Sequence, residues 1–148
     1  MTTTKQATSL TVRRTVSAPR ERVFRAWTDP AEMRKWLSPE ALTTPEATVD
    51  LREGGRFRIV MAAPDGSRHV AVGVYREIRR PERLVFTWEW ESGMADDRGE
   101  TVVTVELHAR GEQTEVVLTH AGLADAESVR KHEEGWTSSL VSLERRGL

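Results

Sequence analysis

Apolar residues recur at two spacings along this chain, and the switches between them mark out strands and helices. Leu10, Val12, Arg14 and Val16 alternate with Thr11, Arg13, Thr15 and Ser17, which predicts a strand over 10–17 with one face in water. The period then lengthens. Val23, Phe24 and Trp27 make a helical stripe, Pro19 suits a first helical turn, and Asp29-Pro30 ends the segment. A second short helix is predicted over 31–36, carrying Met33 and Trp36, with Leu37 just beyond. The stretch 38–45, with prolines at 39 and 45, reads as a loop.

Strand patterns fill the middle of the chain, over 48–51, 56–61, 70–78, 83–90, 101–107 and 114–120. Gly54-Gly55, Pro64-Asp65-Gly66-Ser67, Pro81 and Gly111-Glu112 punctuate them as turns. Phe57, Ile59 and Met61 share one face, as do Leu84, Phe86, Trp88 and Trp90, then Val103, Val105 and Leu107, then Val116, Leu118 and His120. Over 70–78 both faces qualify, since the valines alternate with Ala71, Gly73 and Tyr75. The residues 92–99 read as a polar, acidic loop.

From 125 to 146 the helical spacing returns. Val129, His132, Trp136, Leu140 and Leu143 line one face, and Gly135, Ser138, Ser139 and Ser142 form a stripe of small residues beside it. Asp125 and Glu127 suit the helix N-terminus, while Arg145 and Arg146 suit its end. A mid-helix glycine costs about 1 kcal/mol against alanine, so Gly135 beside Trp136 points to a close neighbour or a space. The helix either covers a sheet directly or leaves a gap above it.

Successive strands with short turns give an antiparallel meander, and only the C-terminal helix is long enough to cover its apolar face. The expected class is α+β: a curved antiparallel sheet wrapped around a long C-terminal helix, with two short helices after the first strand. One domain is expected over 9–148, behind a flexible tail at 1–8.

Composition narrows the function. A chain of 148 residues buries roughly 70% of its unfolded surface as a single domain. A net charge of -1 speaks against nucleic acid or an anionic membrane as partner. The absence of cysteine removes disulfides, thiolate nucleophiles and zinc–thiolate sites. No signal-peptide pattern and no apolar run near the roughly 20 residues of a membrane span occur, so a cytoplasmic protein is expected. No two of the four histidines have metal-ligand spacing, so neither metal nor cofactor is expected.

Two stretches carry a family likeness, Asp50-Leu51-Arg52-Glu53-Gly54-Gly55-Arg56-Phe57 and Pro81-Glu82-Arg83-Leu84-Val85-Phe86-Thr87-Trp88. With the segment 17–30, Thr119-His120-Ala121-Gly122-Leu123 and Gly135-Trp136, the chain resembles the Hsp90-ATPase-activator-homologue (AHSA1-like) branch of the START-like (Bet v 1-like, SRPBCC) superfamily. The resemblance spans about 9–146 and implies the helix-grip fold, in which sheet and long helix enclose an elongated apolar cavity. It is less specific for function, since members include lipid and hormone carriers, polyketide cyclases and subunits of larger enzymes. The co-chaperone behind the branch name also needs another domain, for which this chain has no room, so Hsp90 activation is not carried over.

Trp27, Trp36, Phe57, Trp88, Trp90 and Trp136 either line such a cavity or fill a core, and Trp36, ending a short helix beside a loop, is a candidate for its mouth. The expected ligand-binding set is Trp27, Trp36, Phe57, Ile59, Met61, Phe86, Trp88, Val103, Val105, Leu118, His120, His132, Trp136, Ser139 and Leu140. His120 is either a polar anchor or proton carrier, or a strand-end histidine bonded within the protein. Asp50, Arg52 and the glycine pair read as structural, and the serines lack a G-x-S-x-G elbow. The leading expectation is sequestration or carriage of a small hydrophobic ligand by a monomer or homodimer. The alternatives are a cyclase- or hydrolase-like enzyme using His120 and a chaperone-associated interaction module.

Overall fold

A computed structural model of the chain describes residues 8–39, 41–92 and 99–148. The first strand, β1 (Ser9–Val16), is followed by α1 (Arg20–Thr28) and α2 (Pro30–Trp36). Then come β2 (Thr43–Val49), β3 (Arg56–Ala62), β4 (Arg68–Arg79), β5 (Arg83–Ser92), β6 (Thr101–Arg110) and β7 (Gln113–Ala121). The chain ends in α3 (Ala126–Ser142), continued by a π-helical turn at Leu143–Gly147. Of the expected tail only Thr8 is described; its carbonyl accepts from Leu123 N at 2.9 Å. The loop expected over 92–99 lies, apart from its ends, outside the described residues.

All seven strands form one antiparallel sheet in the order β1-β7-β6-β5-β4-β3-β2. The meander from β2 to β7 is as expected. The first strand pairs with the last, Ser9 opposite Ala121 and Val16 opposite Thr114, so α1 and α2 carry the chain from one sheet edge to the other. Register shifts between Thr43 and Glu46, between Val70 and Ala71, and between Tyr75 and Glu77 bend the sheet. This is the α+β helix-grip arrangement, with α3 on the concave face, where Trp136 is 5% and Leu140 1% exposed.

Three local expectations are corrected. The second strand starts at Thr43 rather than 48, inside the expected loop, and includes Pro45. It is the sheet's edge strand, where a missing N–H breaks no ladder bond, and its register shift hides the alternation. Pro19 sits just outside α1, its carbonyl accepting from Arg22 N and Val23 N. Asp29 ends α1 and caps α2, its side chain accepting from Ala31 N at 2.9 Å, so α2 begins at Pro30.

On β4 the inward residues are Ala71, Gly73 and Tyr75. Phe57 lies opposite Gly73 in the β3–β4 register, and a Cβ at 73 would stand 2.5 Å from its ring and 2.0 Å from the Thr87 carbonyl. Only glycine fits there. The Gly54-Gly55 turn is tied to the β4 bend by Gly54 N donating to Tyr75 O and Tyr75 N to Gly55 O. Arg52 pairs with Asp50 at 2.9 Å on its exposed rim, a structural use of both.

Candidate functional site

α3 reaches the sheet through a chain of hydrogen bonds. Asp125 caps it, accepting from Ser128 N at 2.8 Å. Its third turn delivers Trp136, whose indole N–H donates to His120 Nδ1 at 3.0 Å. An indole nitrogen only donates, so Nδ1 is the acceptor and the ring proton sits on Nε2. His120 Nε2 then donates to Thr101 Oγ1 at 2.7 Å, and Thr101 donates to the Trp88 carbonyl at 2.6 Å. Both ring nitrogens are thus occupied, and the side chain is fully enclosed. Burial, and after it the charge of nearby His132, lowers the His120 pKa to about 3, so the ring is neutral in ordinary buffers.

His132 lies beside it, the ring centroids 5.0 Å apart and the planes 82° to one another. Its Nδ1–H donates to the Ser128 carbonyl at 2.8 Å, and its Nε2 accepts from Trp90 at 2.9 Å. Two indole-to-imidazole bonds, one donated from α3 and one donated to it, therefore clamp α3 to β5 and β7. Ser139 adds a strap, donating to the Leu37 carbonyl at 2.7 Å.

Between these anchors helix and sheet do not close. A cavity of about 120 Å³ is bounded by Met61, Trp88 and Trp90 on the sheet, Leu37 and Pro39 after α2, and Ser128, His132, Gly135, Trp136 and Ser139 on α3. Its rim carries Ala124, Asp125, Glu127 and Lys131, all exposed, so it opens to solvent beside the N-terminus of α3. Gly135 makes the space: among the described residues, a Cβ there would meet only Pro39 Cγ, at 3.8 Å. Deeper in, a pocket of about 20 Å³ lies among Trp27, Met33, Phe57, Ile59, Tyr75 and Phe86, and shares Leu37, Trp88 and Trp136 with the outer one. Burial raises the Tyr75 pKa, which keeps its phenol protonated.

The structure gathers most of the expected set. Met61, Trp88, His132, Trp136 and Ser139 border the outer cavity, and Trp27, Phe57, Ile59 and Phe86 the inner. Trp36, Val103, Val105, Leu118, His120 and Leu140 border neither and fill the core. Trp36 is no mouth residue: it is 1% exposed, edge-on to Trp27 at 4.7 Å, with its N–H on the Ala26 carbonyl at 2.9 Å. His120 is no polar anchor, because it has no free nitrogen and lies outside both cavities. Leu37, Pro39 and the charged rim were not expected, because they sit in loops or at a helix start where apolar spacing carries no signal. Tyr75 was missed because both faces of β4 qualified.

The tryptophans are not equivalent. Those at 36, 90 and 136 donate to protein acceptors, whereas the buried N–H groups of Trp27 and Trp88 have no partner among the described residues. A buried donor left unpaired costs about 1–3 kcal/mol.

The sequence matches the Activator of Hsp90 ATPase homolog 1-like protein family over residues 17–146. The chain belongs to that family. Like its AHSA1-like relatives, it falls in the SRPBCC group that the sequence resembles. The AHSA1 protein of Silicibacter pomeroyi is 32% identical, with a TM-score of 0.80 over 93% of this chain and 95% of that one. A protein of Chromobacterium violaceum is 28% identical, with a TM-score of 0.81 over 93% and 95% of the two chains. An AHSA1-like protein of Aeromonas hydrophila is 25% identical, with a TM-score of 0.74 over 93% and 90%. No curated protein matches the sequence. Among the described residues of this AHSA1-like chain, no helix is long and apolar enough to cross a membrane.

Proposed function

We propose that this AHSA1-like protein binds and sequesters or carries a small apolar or aromatic molecule under α3. The observation that carries the reading is the solvent-open cavity of about 120 Å³ with an aromatic wall of Trp88, Trp90 and Trp136. A cavity of roughly 150 Å³ lined by apolar side chains takes up benzene, so the ligand body is of one-ring size. Asp125, Glu127 and Lys131 at the rim keep the entrance wet while the interior stays apolar. The fold and family agree with a ligand-binding cavity and name no ligand.

Neither alternative gains an observation. A reaction run by His120 would need a nitrogen facing the cavity, and both nitrogens are occupied. A surface-interaction module would need an apolar patch, and among the described residues the large hydrophobic side chain that is exposed is Leu51, at 40%. The test is a titration with α-methylstyrene, followed by the five indole N–H signals in a nitrogen–proton correlation spectrum. Wild type should show saturable shifts, and Gly135→Leu, which fills the cavity, should lose them while its melting temperature is kept. No saturable shift in wild type, or the same shift in folded Gly135→Leu, overturns the reading.

A further inference from the structure

The two indole-to-imidazole bonds stand in different surroundings. His120 is fully enclosed and borders neither pocket, and with its pKa lowered to about 3 the bond it accepts from Trp136 persists in ordinary buffers. His132 is half-buried and borders the solvent-open outer cavity, as does its donor Trp90. The bond between them is built on a neutral imidazole. Its Nδ1–H is taken by the Ser128 carbonyl at 2.8 Å, so Nε2 must keep its lone pair to accept from Trp90 at 2.9 Å. A proton added to Nε2 would set two N–H donors against each other, and one ring would have to turn away.

We infer that ligand uptake under α3 is coupled to loss of a proton from His132: the neutral ring holds an apolar ligand, and the charged ring releases it. This rests on the proposed ligand-binding reading and adds the regulation of that site. Two effects act in the same direction. The charged ring gives up the Trp90 bond that fixes one aromatic wall to α3. A ligand entering beside an imidazolium also strips from it the water that a charge requires. By linkage, the ligand in turn weakens proton binding at His132. The neighbouring groups leave that role to the one ring. On α3 the rim carries Asp125, Glu127 and Lys131, with Asp125 capping Ser128 N and Glu127 held by Arg130 at 3.2 Å and Lys131 at 3.8 Å. From β7 the ring meets neutral His120. From β3 and β5 come Met61, Trp88 and Trp90, and after α2 Leu37 and Pro39, none of them titratable. Among the described residues no carboxylate pairs with His132, so water is what remains to stabilise its charge.

The experiment follows wild type from about pH 8 to about pH 5 by three readouts. These are the His132 ring signal, the indole N–H signals of Trp90 and Trp136, and the affinity for α-methylstyrene, a probe that does not itself titrate. Signals are assigned by their loss in His132→Gln, Trp90→Phe and Trp136→Phe. The Trp90 proton should move upfield with the same midpoint as the His132 ring, while the Trp136 proton, held on His120, stays in place. Over that step the Kd for α-methylstyrene should rise about tenfold, the worth of one buried hydrogen bond. His132→Gln keeps a neutral acceptor for Trp90, and its affinity should no longer depend on pH. The shared midpoint in wild type decides should that variant fail to fold. A His132 ring that stays neutral throughout, a Trp90 signal that ignores its titration, or an affinity that is constant in wild type or falls equally in His132→Gln overturns the inference and leaves the cavity reading intact. No binding at about pH 8 overturns both.

Discussion

Acid should destabilise this protein through one residue. His120 is enclosed, and burial together with the neighbouring charge of His132 holds its pKa at about 3, against an ordinary 6.5. The unfolded chain takes up a proton near the ordinary value, the folded one only near the lowered value. Between the two the unfolded state binds more protons, so stability falls as pH is lowered through that window and is present in full above it. Within the window each step of one in pH costs about 1.4 kcal/mol, which makes the loss roughly 2 kcal/mol on going from about pH 7.5 to about pH 5. Urea denaturation of wild type and His120→Gln at both pH values measures it. Glutamine keeps an acceptor for Trp136 and a donor for Thr101 but does not titrate. Every other residue is the same in both proteins, so the difference between the two pH effects isolates position 120. Wild type should lose about 2 kcal/mol more than the variant. Parallel losses would mean that the ring reaches protons without unfolding, and the account of a sealed network would be wrong.

Other substitutions probe the same construction. Thr101→Val conserves volume but strips the hydroxyl between His120 and the Trp88 carbonyl, and should cost about 2–4 kcal/mol in chemical denaturation. Trp136→Ala removes a nearly buried indole and the His120 partner together, for roughly 3–5 kcal/mol by the same measurement. Gly73→Ala drives a methyl into the Thr87 carbonyl and the Phe57 ring, and should cost about 3 kcal/mol or leave no cooperative melt. Gly135→Ala should do the opposite, raising stability by about 1 kcal/mol in thermal denaturation, since its Cβ comes within ordinary contact distance of Pro39 and the helix gains propensity.

The fold was legible where a single rule governed the side chains. Alternation at Leu84, Phe86, Trp88 and Trp90 and at Val116, Leu118 and His120 set the inward faces correctly, since a strand in register has no freedom to do otherwise. It failed at β2, where Pro45 and a register shift break the alternation on an edge that tolerates both. The site was legible only as an aromatic set. Whether an indole lines a cavity or fills a core depends on the bends of the sheet, and those arise from pairings such as Phe57 with Gly73 that spacing along one segment does not reveal. His120 shows the same limit. Its partners Thr101 and Trp136 lie 19 and 16 positions away on different elements, so its satisfaction became visible only when those elements met.

The pairing of the first strand with the last fixes when the molecule can fold. Ser9 must find Ala121 and Val16 must find Thr114, closures of about 100 residues that raise contact order and slow folding. A ribosome adding about 5–20 residues per second releases β1 long before its partner exists, and α3 emerges later still. Until α3 appears, the tryptophans at 88 and 90 and the valines of β6 have no helix over them. The nascent chain therefore passes through an interval in which its most adhesive surface is uncovered. A stall or truncation before residue 126 would leave that surface open for good, which makes α3 a condition for solubility during synthesis as well as a wall of the cavity.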